Sequence, residues 1–182
     1  MKKHLFYAAI LVAVFLFTNN KLYAQKSGLE TAGDIGVFIV PASALTYSLI
    51  KGDTKGTWQF TKGLLLAQVV TFGLKLSIDK ERPDFSNKNS FPSGHTSTTF
   101  QGAAFMHQRY GFKYSIPAYA IATFTAFSRI HEKKHDGWDV LAGAIIGVGS
   151  SYLFTTPYQQ EHLSLNFNSA KGNYQLGLVY KF

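Results

Sequence analysis

Apolar residues gather into five long stretches, roughly 33–50, 60–78, 95–110, 114–130 and 138–154, separated by polar or glycine-containing turns. Stretches of that length read as helices rather than strands. Gly52-Asp53-Thr54-Lys55-Gly56 divides the first pair, and Tyr110-Gly111-Phe112-Lys113 divides the third from the fourth. Short connections favour antiparallel neighbours, so the expected fold class is all-α, a compact bundle of about five helices. After Pro157 the period changes. Leu163, Leu165 and Phe167 alternate with polar residues, and beyond Ser169-Ala170-Lys171-Gly172-Asn173 the alternation resumes at Tyr174, Leu176, Leu178, Tyr180 and Phe182. Period two around a glycine-containing turn predicts a β-hairpin tail over 161–182. Two strands cannot close a barrel.

The N-terminus has its own pattern. Met1-Lys2-Lys3-His4 precedes an apolar run of 13 residues, Leu5 to Phe17, and then Leu22-Tyr23-Ala24-Gln25. A basic start, a short apolar centre and a small residue at a cleavage point predict a signal peptide over 1–24, leaving a helical domain over 25–160. The alternative is an uncleaved first transmembrane helix, but such a run rises only about 20 Å against a hydrocarbon core of about 30 Å.

Two stretches lack charge for a length that approaches or reaches a membrane span: Ile35 to Ile50, 16 residues, and Val140 to Gln160, 21 residues. Gln68 and Lys75 interrupt the second stretch, and Gln101 and His107 the third. Lys51, Lys55, Lys62, Arg109 and Lys113 fall at the end of the bundle opposite the motifs described below, as the positive-inside bias places them for an outward-facing site. We therefore expect a cell-envelope protein resident in the membrane with an outward, periplasm-facing site, with a soluble periplasmic protein as the alternative. Oligomeric state is not legible.

Composition adds less. At 182 residues the chain makes one domain, and its formal charge of +8 suits an anionic substrate as well as a membrane surface. No basic helix interleaved with aromatics appears, so nucleic acid is not an expected partner. Cysteine is absent, so no disulfide staples the fold.

The chemistry lies in three short motifs: Lys75-x6-Arg82-Pro83, Pro92-Ser93-Gly94-His95, and Ser128-Arg129-x5-His135-x3-Asp139. A phosphate ester resists attack because its oxygens are negative, so a catalyst must neutralise them, align a nucleophile and protonate the departing alkoxide. Lys75, Arg82 and Arg129 suit the first task, the arginines with planar forks that grip two oxygens at once. Seven residues separate Lys75 from Arg82, about two helical turns, and Pro83 predicts a helix end there. Gly94 lets backbone approach an anion, and N–H groups at the following helix start, with the Ser93 hydroxyl, suit the remaining oxygens.

His135 and Asp139 stand one helical turn apart. A carboxylate accepting one ring N–H fixes the tautomer and frees the other nitrogen to attack phosphorus, so His135 is the expected nucleophile and Asp139 its orienter. His95 is the expected acid and base, protonating the leaving oxygen and later accepting a proton from water. His107, His131 and His162 match no motif position and read as surface or packing residues. No cofactor and no metal is expected: the histidines form no His-Glu-x-x-His pattern.

Taken together and in this order, the motifs resemble those of the type 2 phosphatidic acid phosphatase family, whose relatives include bacterial acid phosphatases, lipid phosphatases and vanadium haloperoxidases. The resemblance covers roughly residues 60–155 and fills all eleven specified positions. It implies the same roles, with His135 as nucleophile, His95 as acid and base, and Lys75, Arg82, Ser93, Gly94 and Arg129 as phosphate ligands. The expected activity is metal-independent hydrolysis of phosphate monoesters or diphosphates through a phosphohistidine. The expected partner is a phosphorylated lipid of the phosphatidic acid, polyprenyl diphosphate or lipid A type, with a small phosphate ester and a soluble acid phosphatase as the alternative. A vanadate-dependent haloperoxidase would use the same anion cage but is a much larger protein, and a non-catalytic phosphate-binding module would need no nucleophile. Phe85, Phe91 and Trp138 flank the motifs and read first as packing residues, second as contacts for an acyl chain. The eight residues from Asp84 to Phe91 are too few for a lid.

Overall fold

The computed structural model describes residues 27–158, 163–170 and 173–180; the expected signal peptide, His162 and the hairpin turn at 171–172 lie outside them. Five helices follow one another: α1 (Gly28–Ile50), α2 (Thr54–Ser77), α3 (Gly94–Tyr110), α4 (Phe112–His131) and α5 (Gly137–Phe154). Two strands, β1 (Leu163–Ala170) and β2 (Asn173–Tyr180), close the order. The all-α bundle with a terminal hairpin is thus observed.

The helices start where the sequence offers caps. Ser27 accepts from Glu30 N–H before α1, Asp53 from Gly56 N–H before α2, Ser93 from Thr96 N–H before α3, and Asp136 from Asp139 N–H before α5. The Asp53 cap begins α2 six residues earlier than the apolar pattern implies, because capping chemistry and not hydrophobicity sets a helix start. Two turns need glycine. Gly52 has φ of 65° and Gly111 has φ of 101°, and Gly111 alone joins α3 to α4. Pro41 and Pro117 are accommodated inside α1 and α4.

α3 is the axis of the bundle, with the other four helices packed against it. The close approach of α5 depends on missing side chains. A Cβ at Gly143 would stand 2.5 Å from the Ser93 carbonyl oxygen, and one at Gly147 would run into the Ser97 carbonyl and stand 2.8 Å from the Gln101 nitrogen. Consecutive helices alternate in direction. The C-terminal ends of α2 and α4 therefore meet the N-terminal ends of α1, α3 and α5 at one end of the molecule.

The interior is small and polar, while the exterior is large and apolar. Ser48, Thr71, Ser97, Thr99, Gln101, Thr125 and Ser151 are buried, and among the described residues seven of the buried apolar ones are alanines. Phe38, Leu65, Val69, Phe72, Leu76, Phe127, Ile145 and Leu153 are exposed. At the far end from the motifs, Arg109 is buried and grips Asp53 with two bonds of 2.7 Å while donating to the Thr156 carbonyl at 2.8 Å. Burial alone would raise the Asp53 pKa, but Arg109, the Gly56 N–H and the Tyr110 hydroxyl together hold it below the ordinary carboxylate value. Arg109 thus lies at the end opposite the motifs, as expected, but buried in an ion pair.

In the hairpin the backbone register pairs Leu163 with Tyr180, Leu165 with Leu178 and Phe167 with Leu176.

Candidate active site

Lys75 lies in the last turn of α2 and donates from Nζ to the Asn89 carbonyl at 2.7 Å. This contact draws the cation against the 78–93 loop, which carries Arg82. The loop is cross-tied by Ser90 N–H to Lys80 O at 3.0 Å and by Arg82 N–H to Asn87 O at 2.9 Å. Arg82 Nε is buried with no hydrogen-bond partner, so a donor faces a site that has no protein acceptor for it.

Ser93 is fully buried at the α3 cap, and its N–H donates to the Asp139 carbonyl at 2.9 Å. The start of α3 is thereby fixed on the first turn of α5. Gly94 lies beside Lys75, close enough that an added Cβ would stand 3.9 Å from Lys75 Cε. The free N–H groups of this helix start give the site a positive pole. His95, one residue on, places Nε2 2.9 Å from Asp34 Oδ1.

Arg129, near the end of α4, is only 3% exposed. Its guanidinium donates to Asp34 Oδ1 at 2.9 Å, to the Glu30 carbonyl at 2.8 Å and to Ser128 Oγ at 3.2 Å. The chain then turns back through Lys133, which has φ of 53°, and the N–H groups of Lys134 and His135 both donate to the Arg129 carbonyl. That reversal sets the His135 ring beside Arg129 with 4% exposure.

Asp139 sits within a capping box with Asp136, and the buried carboxylate is fully engaged. Lys80 Nζ donates to Asp139 Oδ1 at 2.7 Å and to Asp136 Oδ2 at 2.6 Å. Ser90 Oγ donates to Asp139 Oδ2 at 2.5 Å, and the Asp136 N–H reaches the same oxygen at 3.1 Å. The expected one-turn juxtaposition with His135 is present, but Asp139 Oδ2 stands 3.6 Å from Nδ1, beyond hydrogen-bond range. Nδ1 itself is buried without a hydrogen-bond partner. Burial first, then the charges of Lys75 and Arg82, lower the His135 pKa to about 4, with Asp139 opposing them. The ring is therefore neutral over most of the pH range.

Arg82, His95, Arg129 and His135 line one cavity of about 460 Å³, together with Glu30, Asp34, Ser86, Asn87 and Lys134. Lys75, Ser93, Gly94 and Asp139 are not part of that lining but connect to it through the contacts above, so the eight candidate residues form one cluster. Sequence reasoning missed three neighbours: Asp34, Lys80 and Ser90. Asp34 carried a signal, as a lone carboxylate between Glu30 and Lys51 in an otherwise apolar helix. Lys80 and Ser90 carried none. Phe85 and Trp138 differ from the packing expectation, being 77% and 73% exposed, next in sequence to Ser86 and Asp139. His107 packs on Phe112 and Tyr119, and His131 is exposed. Among the described residues, no three His, Asp or Glu side chains are placed to share a metal ion.

A family model for the PAP2 superfamily matches residues 56–162. The chain is 30% identical over 190 positions to the lipid A 4′-phosphatase of Helicobacter pylori strain J99, covering 97% of this chain and 96% of that protein. It is 42% identical over 87 residues to the lipid A 1-phosphatase of Porphyromonas gingivalis, which is 46% of this chain and 19% of that longer protein. The crystal structure of Aquifex aeolicus LpxE shares the fold, with a TM-score of 0.59 at 21% identity over 71% of this chain and 87% of that one.

Proposed function

The chain belongs to the PAP2 superfamily, and from that premise we propose that it is a lipid phosphate phosphatase, a phosphoric ester hydrolase acting on lipid A-type phosphates through a phosphohistidine at His135. The observation that carries this reading is the single cavity in which a neutral, buried imidazole meets two arginines and a second histidine. In the first half-reaction Lys75, Arg82, Arg129 and the N–H groups behind Ser93 neutralise the phosphoryl oxygens. His135 Nε2 attacks phosphorus in line with the ester oxygen, which leaves with a proton from His95. In the second half, His95 takes a proton from water, which attacks phosphorus and releases phosphate from His135. Asp139 stabilises the ring charge that develops at Nδ1. A shift of roughly half an ångström brings its 3.6 Å separation into hydrogen-bond range, as catalytic contacts commonly tighten on substrate binding.

The inside-out distribution of side chains supports residence in a membrane. Helices that pack through Gly, Ala, Ser and Thr and turn Phe, Leu, Ile and Val outward suit hydrocarbon surroundings. α1 and α5 are both long and apolar enough to cross. The site then lies at one membrane face, on the periplasmic side in our reading, with Trp138 and Phe85 exposed beside it where an acylated substrate arrives. The end-to-end similarity to a 4′-phosphatase favours the 4′ position, and the stronger local similarity to a 1-phosphatase favours the 1 position.

Phosphate release in EDTA by the detergent-purified protein tests this reading, with lipid A labelled at either phosphate, phosphatidic acid and an aryl phosphate compared. Release from lipid A that is lost in His135→Ala is expected. Release confined to the aryl phosphate would replace the reading with a soluble-type acid phosphatase, and dependence on added metal would overturn the mechanism.

A further inference from the structure

α1 contributes Asp34, a residue that none of the three motifs contains and that lies outside the segment matched by the family model. Its Oδ1 stands 2.9 Å from His95 Nε2 and 2.9 Å from an Arg129 guanidinium nitrogen, in the wall of the cavity that holds His135. We propose that Asp34 is the positioning residue of the acid and base, holding His95 in the tautomer and ring orientation that direct Nδ1 to the leaving oxygen. The inference rests on the role given to His95 above.

The geometry gives Asp34 work of a particular kind. Its carboxylate accepts the Nε2–H of His95, which leaves Nδ1 as the nitrogen that exchanges protons. Imidazolium His95 gives its Nδ1 proton to the departing alkoxide, which leaves as the alcohol, and becomes the neutral Nε2–H tautomer still bonded to Asp34. In hydrolysis of the phosphohistidine, Nδ1 takes a proton from the attacking water and the imidazolium is restored. Asp34 remains a carboxylate throughout and touches neither phosphorus nor substrate.

The surrounding contacts keep it in place. Arg129 bonds Asp34 and the Glu30 carbonyl together, so one guanidinium ties two turns of α1 to α4. Gly33, the neighbour of Asp34, lets α1 approach so closely that an added Cβ would run into Ser128 Oγ. Loss of that seating would carry Asp34 away from His95. α1 is therefore part of the active site and not only a wall of the bundle.

A general acid matters most when the leaving group is poor, and this dependence separates the proposal from a structural role. The test compares kcat/KM of the full-length wild type, Asp34→Asn, Asp34→Glu and His95→Gln on an alkyl lipid phosphate and on 2,4-dinitrophenyl phosphate, whose phenolate leaves without a proton. Removing general acid catalysis costs on the order of 10²–10⁴-fold. We expect His95→Gln to lose about that much on the lipid and little on the aryl ester. Asp34→Asn should follow the same pattern with a loss of roughly tenfold or more on the lipid, and Asp34→Glu should recover part of it. Inhibition by inorganic phosphate should be at least as tight in Asp34→Asn, since a negative charge beside Arg129 has gone. Equal losses on both substrates, weakened phosphate inhibition, or no loss on the lipid would each overturn the proposal while leaving the His95 assignment intact. A His95→Gln variant without leaving-group dependence would instead remove that assignment and this inference with it.

Discussion

At the scale of single residues, the account turns on two histidines with different neighbours, His135 beside cations and His95 beside Asp34. His135 is buried beside cations and its pKa lies near 4, whereas an ordinary histidine titrates near 6.5. A nucleophile must be deprotonated, so the shift keeps it competent at pH 5. As pH falls from about 6.5 towards 4, the unfolded chain takes up a proton at this position before the native one does, so its contribution to native stability declines across that window. Ring nitrogen shifts of His135 followed by NMR should show a midpoint near 4; a midpoint near 6.5 would contradict the assigned burial. His135→Ala should lower turnover by at least about a thousandfold while leaving phosphate inhibition largely unchanged. Every motif residue was legible because the three motifs fix residue type and spacing together. Lys80 and Ser90 were not, and Asp34 showed only as a carboxylate out of place in an apolar helix, because each acts across more than 45 residues of chain on a partner that only folding brings near.

At the scale of elements, the site depends on how closely α5 lies on α3. Gly143 faces the carbonyl of Ser93, the residue whose N–H is fixed by Asp139, so an added methyl pushes directly on the start of α3. Gly143→Ala should therefore cost about 1–3 kcal/mol in overpacking and lower kcat about tenfold or more by displacing Ser93. Gly149, with open space around its position, serves as the control. Gly149→Ala should leave melting temperature and turnover nearly unchanged. If both substitutions behave alike, the close approach of the helices is not what holds the site. Apolar periodicity predicted the five helices because their lengths exceed any strand. It missed the early start of α2, where Asp53 serves as cap and also as the partner of Arg109. A sequence shows the capping residue but not the buried arginine that comes to it from 56 positions away.

At the scale of the whole molecule, the two ends of the bundle have separate duties. One end holds the cavity, and the other is closed by the buried pair of Arg109 and Asp53. Along α3 the ends are about 25 Å apart, at a rise of about 1.5 Å per residue. Arg109→Ala leaves Asp53 buried and unpaired and should destabilise the protein by about 3–5 kcal/mol. The folded fraction should keep its kcat, as measured by activity per native molecule after a thermal melt; a specific loss of kcat would mean that the ends are coupled. Outward-facing Phe, Leu and Ile side chains predict that the protein stays in membranes through an alkaline carbonate wash and leaves only with detergent. Membrane residence was ambiguous in the sequence because Gln68, Lys75, Gln101 and His107 interrupt the apolar stretches. The fold ties Gln68 to Thr98, Lys75 to the Asn89 carbonyl and Gln101 to the Phe60 carbonyl, packs His107 on Phe112 and Tyr119, and leaves the large apolar groups facing out.

The most direct test of the central claim is to quench the enzyme during turnover of a lipid substrate carrying ³²P in its phosphate and to map the label. The account predicts an acid-labile, base-stable phosphoramidate on the peptide that carries His135, absent in His135→Ala. Label on any other residue, or turnover by His135→Ala at the wild-type rate, would contradict it.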